Sequence, residues 1–123
     1  MGYRRVVGSC TMEVTFRQQR LAKQFNSARE IVRVFGPEAG KQIQRRLVQL
    51  EAATCLEDLR NAPGRCHELI GNRSGQLSID LNGPYRLIFV PTAQPAPTKV
   101  DGGLNWSEVD AVIIIEILDT HEK

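Results

Sequence analysis

Cysteine is scarce in this chain: three residues, Cys10, Cys55 and Cys66, odd in number and widely spread. Such a set builds no disulfide framework and reads as a protein of a reducing cytoplasm. No apolar run approaches membrane-spanning length, and the start MGYRRVVGSC lacks the apolar stretch of a signal peptide. There is no CxxC or HxxxH spacing. Cys66 and His67 are adjacent, so on a strand they point to opposite faces, and no metal set with His121 is expected. Gly-x-Gly-x-x-Gly and phosphate-loop patterns are also missing, and Gly71, Gly75 and Gly83 read as turn residues. No serine or cysteine stands out as a nucleophile for either of the two histidines, and no cofactor is called for.

What remains is an ordinary composition, 41% hydrophobic and 24% charged over 123 residues, enough for one domain with a real core. The net charge of +2 is unevenly spread. Residues 1–52 carry ten Lys/Arg against four Asp/Glu, whereas residues 99–123 carry two against six. A basic front half can attract a polyanion, although solvated helix faces are often basic too.

Residues 1–11 read as a flexible N-terminal tail and residues 12–123 as a single domain. Met12 to Phe16 alternates as a first strand. Leu21, Phe25, Ala28, Val32 and Phe35 then step by four and three, one apolar stripe along one helix. Gly36-Pro37 makes the corner into a second helix with Ile43, Leu47 and Leu50 inward. Thr54-x-x-Glu57 has capping-box spacing, and Ala62-Pro63-Gly64 breaks the chain. Three short runs follow, turned at Asn72-Arg73-Ser74-Gly75 and Asn82-Gly83-Pro84, as an antiparallel meander. After the proline-rich stretch from Pro91 to Asn105, read as an exposed mobile loop, Trp106 is expected to pack on the sheet edge. Val109 to Leu118 reads as a central strand buried on both faces. The sum is an α+β fold: an N-terminal helical hairpin packed on a mostly antiparallel four- to five-stranded sheet, with the other sheet face open.

Turn parity decides what shares that open face. The first turn pairs Gly71 with Gln76, Leu69 with Ser78 and His67 with Asp80. For the second, a two-residue turn would put Pro84 in the ladder and bury Arg86. A three-residue connection pairs Leu81 with Tyr85 and Ile79 with Leu87, and turns Arg86 outward. Burying an unpaired guanidinium is costly, so the second arrangement is preferred. His67, Ser78, Asp80 and Arg86 then share one polar surface, with Arg73 above it. Arginine binds phosphate bidentately and histidine moves protons near neutral pH, a combination suited to RNA, which supplies its own 2′-hydroxyl nucleophile. The plain alternative is a cross-strand Asp80–Arg86 ion pair beside a surface histidine.

The ordered runs Pro63-Gly64-Arg65-Cys66-His67-Glu68-Leu69, Gly71-Asn72-Arg73 and Ser78 to Phe89 resemble the HigB-type branch of the RelE-like toxins, the plasmid-maintenance killer proteins. So do Asp101 to Trp106 and Asp119-Thr120-His121, and the resemblance covers nearly everything from Met12 onward. It implies the toxin of a type II toxin–antitoxin system, a cytoplasmic, metal-independent endoribonuclease. Such a toxin enters the ribosomal A site and cuts mRNA by 2′-hydroxyl attack on the adjacent phosphate. Its implied partner is a cognate antitoxin, often a helix-turn-helix DNA-binding protein. By position, His67 resembles the family's base or substrate-positioning histidine, Arg86 its phosphate clamp and Arg73 the basic residue of the first loop. Asp119 and His121 match the terminal Asp-Tyr-His, whose histidine takes part in proton transfer. Arg65 and Asp80 complete the expected RNA- and phosphate-binding set. This chain departs from the pattern at Ile70, commonly lysine, at Asn72, commonly aspartate, and at Thr120, commonly tyrosine. Those departures keep a second reading open: a catalytically weakened binding module acting through its antitoxin.

Overall fold

In the computed structural model the described residues are 3–4, 12–81 and 83–119. Strand β1 (Tyr3–Arg4) is followed by β2 (Glu13–Phe16) and three helices, α1 (Gln19–Phe25), α2 (Ala28–Phe35) and α3 (Pro37–Ala52). A 3-10 turn at Leu56–Leu59 leads to β3 (His67–Glu68), a second at Gly71–Arg73 to β4 (Leu77–Asp80) and then β5 (Tyr85–Pro91). A third, Trp106–Glu108, precedes β6 (Ala111–Asp119). The strands run β1-β2-β6-β5-β4-β3 across one sheet, antiparallel except for the β2–β6 pair. β1 falls in the segment read as a tail. The expected α+β arrangement is present, with three helices against the sheet.

Ile43, Leu47 and Leu50 of α3 are buried with Phe25 and Ile31 against Val14, Phe16, Ile79, Leu87, Phe89, Val112 and Ile114 of the sheet. Each such side chain contributes about 1.5–3 kcal/mol when fully buried. Phe16, Phe25, Phe35 and Tyr85 meet edge to face in series, with centroids 5.4, 6.3 and 5.6 Å apart. This ladder ties α1 and α2 to strands β2 and β5 on one face of the sheet.

Several sequence expectations need correction. The first helix is two. Ser27 interrupts it: its Oγ accepts from the Glu30 backbone N–H at 3.2 Å and starts α2 afresh. Ser27-x-x-Glu30 has capping-box spacing, and the unbroken apolar stripe hid it. At Thr54 the cap runs the other way, since the Thr54 backbone N–H donates to Asp58 Oδ2 at 2.9 Å. β6 is central, but Val112 and Ile114 on the helix side are fully buried while Ile113 on the other face is only partly so, and Ile115 sits unpaired at a register shift against β5. The 91–105 connection is pinned by a Thr98–Leu104 bridge and an Asn105 N–H bond to the Pro97 carbonyl.

The second turn behaves as expected. Ile79 pairs with Leu87 and Asp80 with Arg86, and the Leu81 N–H donates to the Tyr85 carbonyl. Asn82 lies outside the described residues. The first turn slips by two residues: His67 pairs with Ser78, not Asp80, and Glu68 with Leu77. The Gly71–Arg73 turn lengthens the loop, and Gly71 takes a left-handed φ of +67° to allow it. An even slip keeps every side chain on its face but changes its neighbour.

Candidate active site

The open face is best read in rows across the strands. One row runs Asp80–Arg86–Leu118, and the next runs His67–Ser78–Ile88–Glu116. Asp80 is thus the cross-strand neighbour of Arg86, and His67 stands one pleat along. Because of the register slip, the residue that meets Asp80 from the chain leading into β3 is Arg65.

That chain is bent sharply. Gly64 has φ +109°, and a Cβ there would stand 2.9 Å from Ile79 Cγ2 and 3.0 Å from Arg46 Nε. Its carbonyl accepts from the Asp80 N–H at 2.7 Å, while Arg46 Nε donates to the Asp80 carbonyl at 3.2 Å. Arg65 follows with φ +50°, a left-handed conformation uncommon for a residue with a side chain. Backbone held this way costs energy, and such strain concentrates at functional sites.

The bend does two things. It aims the Arg65 carbonyl at His67, whose Nδ1 lies 2.7 Å away. A carbonyl only accepts, so Nδ1 carries the hydrogen and the neutral ring leaves Nε2 free to accept a proton. It also brings the Arg65 guanidinium to Asp80, Nε to Oδ2 at 2.6 Å. Arg86 Nε stands 3.1 Å from the other oxygen, Oδ1, without hydrogen-bond alignment. One carboxylate therefore holds two arginines.

Arg73 folds back over the same face rather than standing above it. One terminal nitrogen donates to Gln76 Oε1 at 2.8 Å and the other meets Glu116 of β6 at 2.9 Å. Beside it a hollow of about 320 Å³ is lined by Arg17, Gln76, Gln94, Val90 and Ile113. Ile70, where lysine was expected, is 88% exposed at the loop. Asp119 ends β6 opposite Tyr85, which puts it on the helix-side face, away from Arg86. His121 and Thr120 lie outside the described residues. His67, Arg86, Asp80, Arg65 and Arg73 thus share the open face and Asp119 does not.

One residue, Glu116, escaped the sequence reading, as did the backbone role of Arg65. Glu116 is the one charge inside an apolar strand, and that isolation was its available signal. Arg65's backbone role left no signal, because nothing but glycine or asparagine advertises a positive φ. Trp106 packs as expected: its Nε1 donates to Glu68 Oε2 at 2.9 Å, and the Arg60 guanidinium covers the ring at 4.1 Å. Burial pushes the Cys66 thiol up to about 12, so it is a packed side chain and not a nucleophile. A roomier groove, about 600 Å³, is lined by Val32, Pro37, Lys41 and Val48 of α2 and α3. It holds no acid–base pair.

Helices on one face of a mostly antiparallel sheet, with arginines and a histidine on the other, define a RelE-like toxin. The family model described as the RelE-like toxin of the type II toxin–antitoxin system HigB matches residues 14–95, and the chain belongs to that family. The match contains His67, Arg65, Arg73, Asp80 and Arg86 and ends before β6. Members are generally ribonucleases, and membership implies a cognate antitoxin as partner. Comparison with curated proteins and with solved structures finds no match. Among the described residues no helix is long and apolar enough to cross a membrane.

Proposed function

We propose that the open face binds mRNA in the ribosomal A site and cleaves it without a metal. Its Arg86, Arg65 and Arg73 guanidiniums attract the backbone phosphates. His67 Nε2 accepts the proton of a 2′-hydroxyl as that oxygen bonds to the adjacent phosphorus. The bond from phosphorus to the 5′-oxygen breaks, and the leaving oxygen takes a proton from His121, assigned here by its place in the terminal Asp-x-His pattern. The products are a 2′,3′-cyclic phosphate and a 5′-hydroxyl. Arg86 stabilises the extra charge on the phosphorane oxygens, a contribution that grows in the transition state. Asp119 is proposed to act near His121 and not on the phosphate.

The observation that carries this reading is the 2.7 Å contact between His67 Nδ1 and the Arg65 carbonyl, from which the tautomer follows. A ring whose Nδ1 is tied to the Arg65 carbonyl presents a free base next to a pair of arginines. In the test, the protein is expressed without its antitoxin, and mRNA is mapped on translating ribosomes. Growth arrest with cuts inside codons is the expected outcome; normal growth with intact mRNA overturns the reading. The binding-module alternative draws on Ile70 and on the Arg73–Glu116 pair, which occupies a phosphate-binding cation. It predicts a tight complex with the antitoxin, a DNA-binding repressor of the helix-turn-helix type, and no growth arrest.

A further inference from the structure

The Asp80 carboxylate sits in the middle of a surface meant for a polyanion, where a simple charge argument makes it a liability. Its geometry says otherwise. It takes Arg65 through Nε on Oδ2 at 2.6 Å and Arg86 through Nε at 3.1 Å from Oδ1. A guanidinium held at Nε still carries terminal N–H donors on the edges of its fork that the carboxylate does not occupy. Arg86 spends only a weak 3.5 Å contact, from Nη1 to the Tyr85 carbonyl, on the protein itself. The carboxylate is mostly covered, 23% exposed, whereas Arg65 is 70% exposed and Arg86 28%. The anion is therefore recessed, with Arg86 level beside it and Arg65 standing outside.

We propose that Asp80 is a positioning residue: it holds Arg65 and Arg86 side by side so that their terminal nitrogens grip one phosphate of an RNA backbone between them. Arg65 belongs to this clamp and to the base at once. Its left-handed backbone presents the carbonyl that sets His67, and its side chain reaches the carboxylate that sets Arg86. Phosphate grip and proton acceptor are thereby fixed to each other through a single residue. The proposal rests on the RNA reading above and adds which residues share the phosphate and what aligns them.

The two contributions have opposite signs, which makes the test decisive. If only net charge matters, Asp80→Asn removes an anion and tightens RNA binding. If Asp80 aligns the clamp, the same change weakens binding, by about tenfold for the loss of one charge-assisted pairing geometry. The probe is a short single-stranded RNA with 2′-fluoro sugars, which cannot supply the nucleophile, titrated into the intact protein. Arg65→Asn keeps a residue that tolerates the left-handed backbone and removes the guanidinium. It is expected to weaken binding and to flatten the salt dependence by about 0.7 in log–log slope. The double variant is expected to lose less than the two single losses combined, because Asp80 acts through Arg65. Melting temperatures of the variants separate alignment from unfolding. If Asp80→Asn does not fold, the Arg65→Asn affinity and salt slope decide by themselves. Unchanged or tighter binding by Asp80→Asn, or an unchanged salt slope in Arg65→Asn, overturns the clamp while leaving the RNA reading intact. A wild-type protein that does not bind the probe also overturns the clamp, whereas intact mRNA on translating ribosomes is what removes the RNA reading.

Discussion

At the scale of single residues, the open face divides into a base, two arginines and the acid that holds them. Arg86 is half-sequestered on β5, and its backbone is locked in the ladder opposite Asp80 and Leu118, so truncating it leaves the strand pairing alone. Arg86→Ala is expected to lower RNA cleavage by about 100-fold or more, the scale of losing one preorganised stabiliser of transition-state charge. The melting temperature should stay near that of the parent, and growth-arrest plating beside thermal unfolding checks both. Cys66 makes the opposite kind of prediction. Its thiol lies at about 12 in the folded state against 9.0 for an unburied cysteine. A raised value means that the neutral thiol's stability is whole below pH 9 and is lost as the pH climbs towards 12. Denaturant unfolding above pH 9 should show a slope with pH that the Cys66→Ala variant lacks, and Cys66 should resist alkylation until the protein unfolds.

At the scale of elements, the corner between α1 and α2 rests on Ser27. Its hydroxyl satisfies the Glu30 N–H, one of the donors that a helix start leaves without a partner. Ser27→Ala is expected to cost about 1 kcal/mol, read as a lower urea midpoint with unchanged slope. That helix start shows why apolar spacing misled. Leu21, Phe25, Ala28, Val32 and Phe35 keep their stripe across a break because both short helices face the same core. Periodicity reports burial, while only the side-chain cap reports the interruption. The β3–β4 loop teaches the same lesson. Asn72 to Gly75 has the residues of a tight turn, but a 3-10 turn at Gly71–Arg73 takes up two more residues and slides β3 along β4.

At the scale of the whole molecule, α1 to α3 cover one face of the sheet and leave the other without a helical layer, although Ser78 and Ile88 in its middle row are buried. Parallel pairing with β2 and antiparallel pairing with β5 seat the last strand in mid-sheet, in the row through Ser78 and Ile88, so Glu116 from the end of the chain meets Arg73 from its middle. Such contacts join residues far apart in sequence, and no local pattern encodes them. The runs that carry the family resemblance, by contrast, are local, and those from Pro63 to Phe89 lie within the residues 14–95 that the family model matches.

The chain's order of apolar and turn residues was enough to establish the α+β class, the face on which His67 and Arg86 lie, and the outward turn of Arg86. Alternation with period two survives a register slip of two, and burying a lone guanidinium is too costly to permit the other parity. Tertiary structure alone decided who touches whom. Beside the Asp80–Arg86 pair that the sequence already offered, it set Arg65 against Asp80 in place of His67, tied His67 to a carbonyl through a left-handed residue, and recruited Glu116 to Arg73. Those outcomes depend on loop length, backbone φ and strand order, which are settled by packing across the whole sheet.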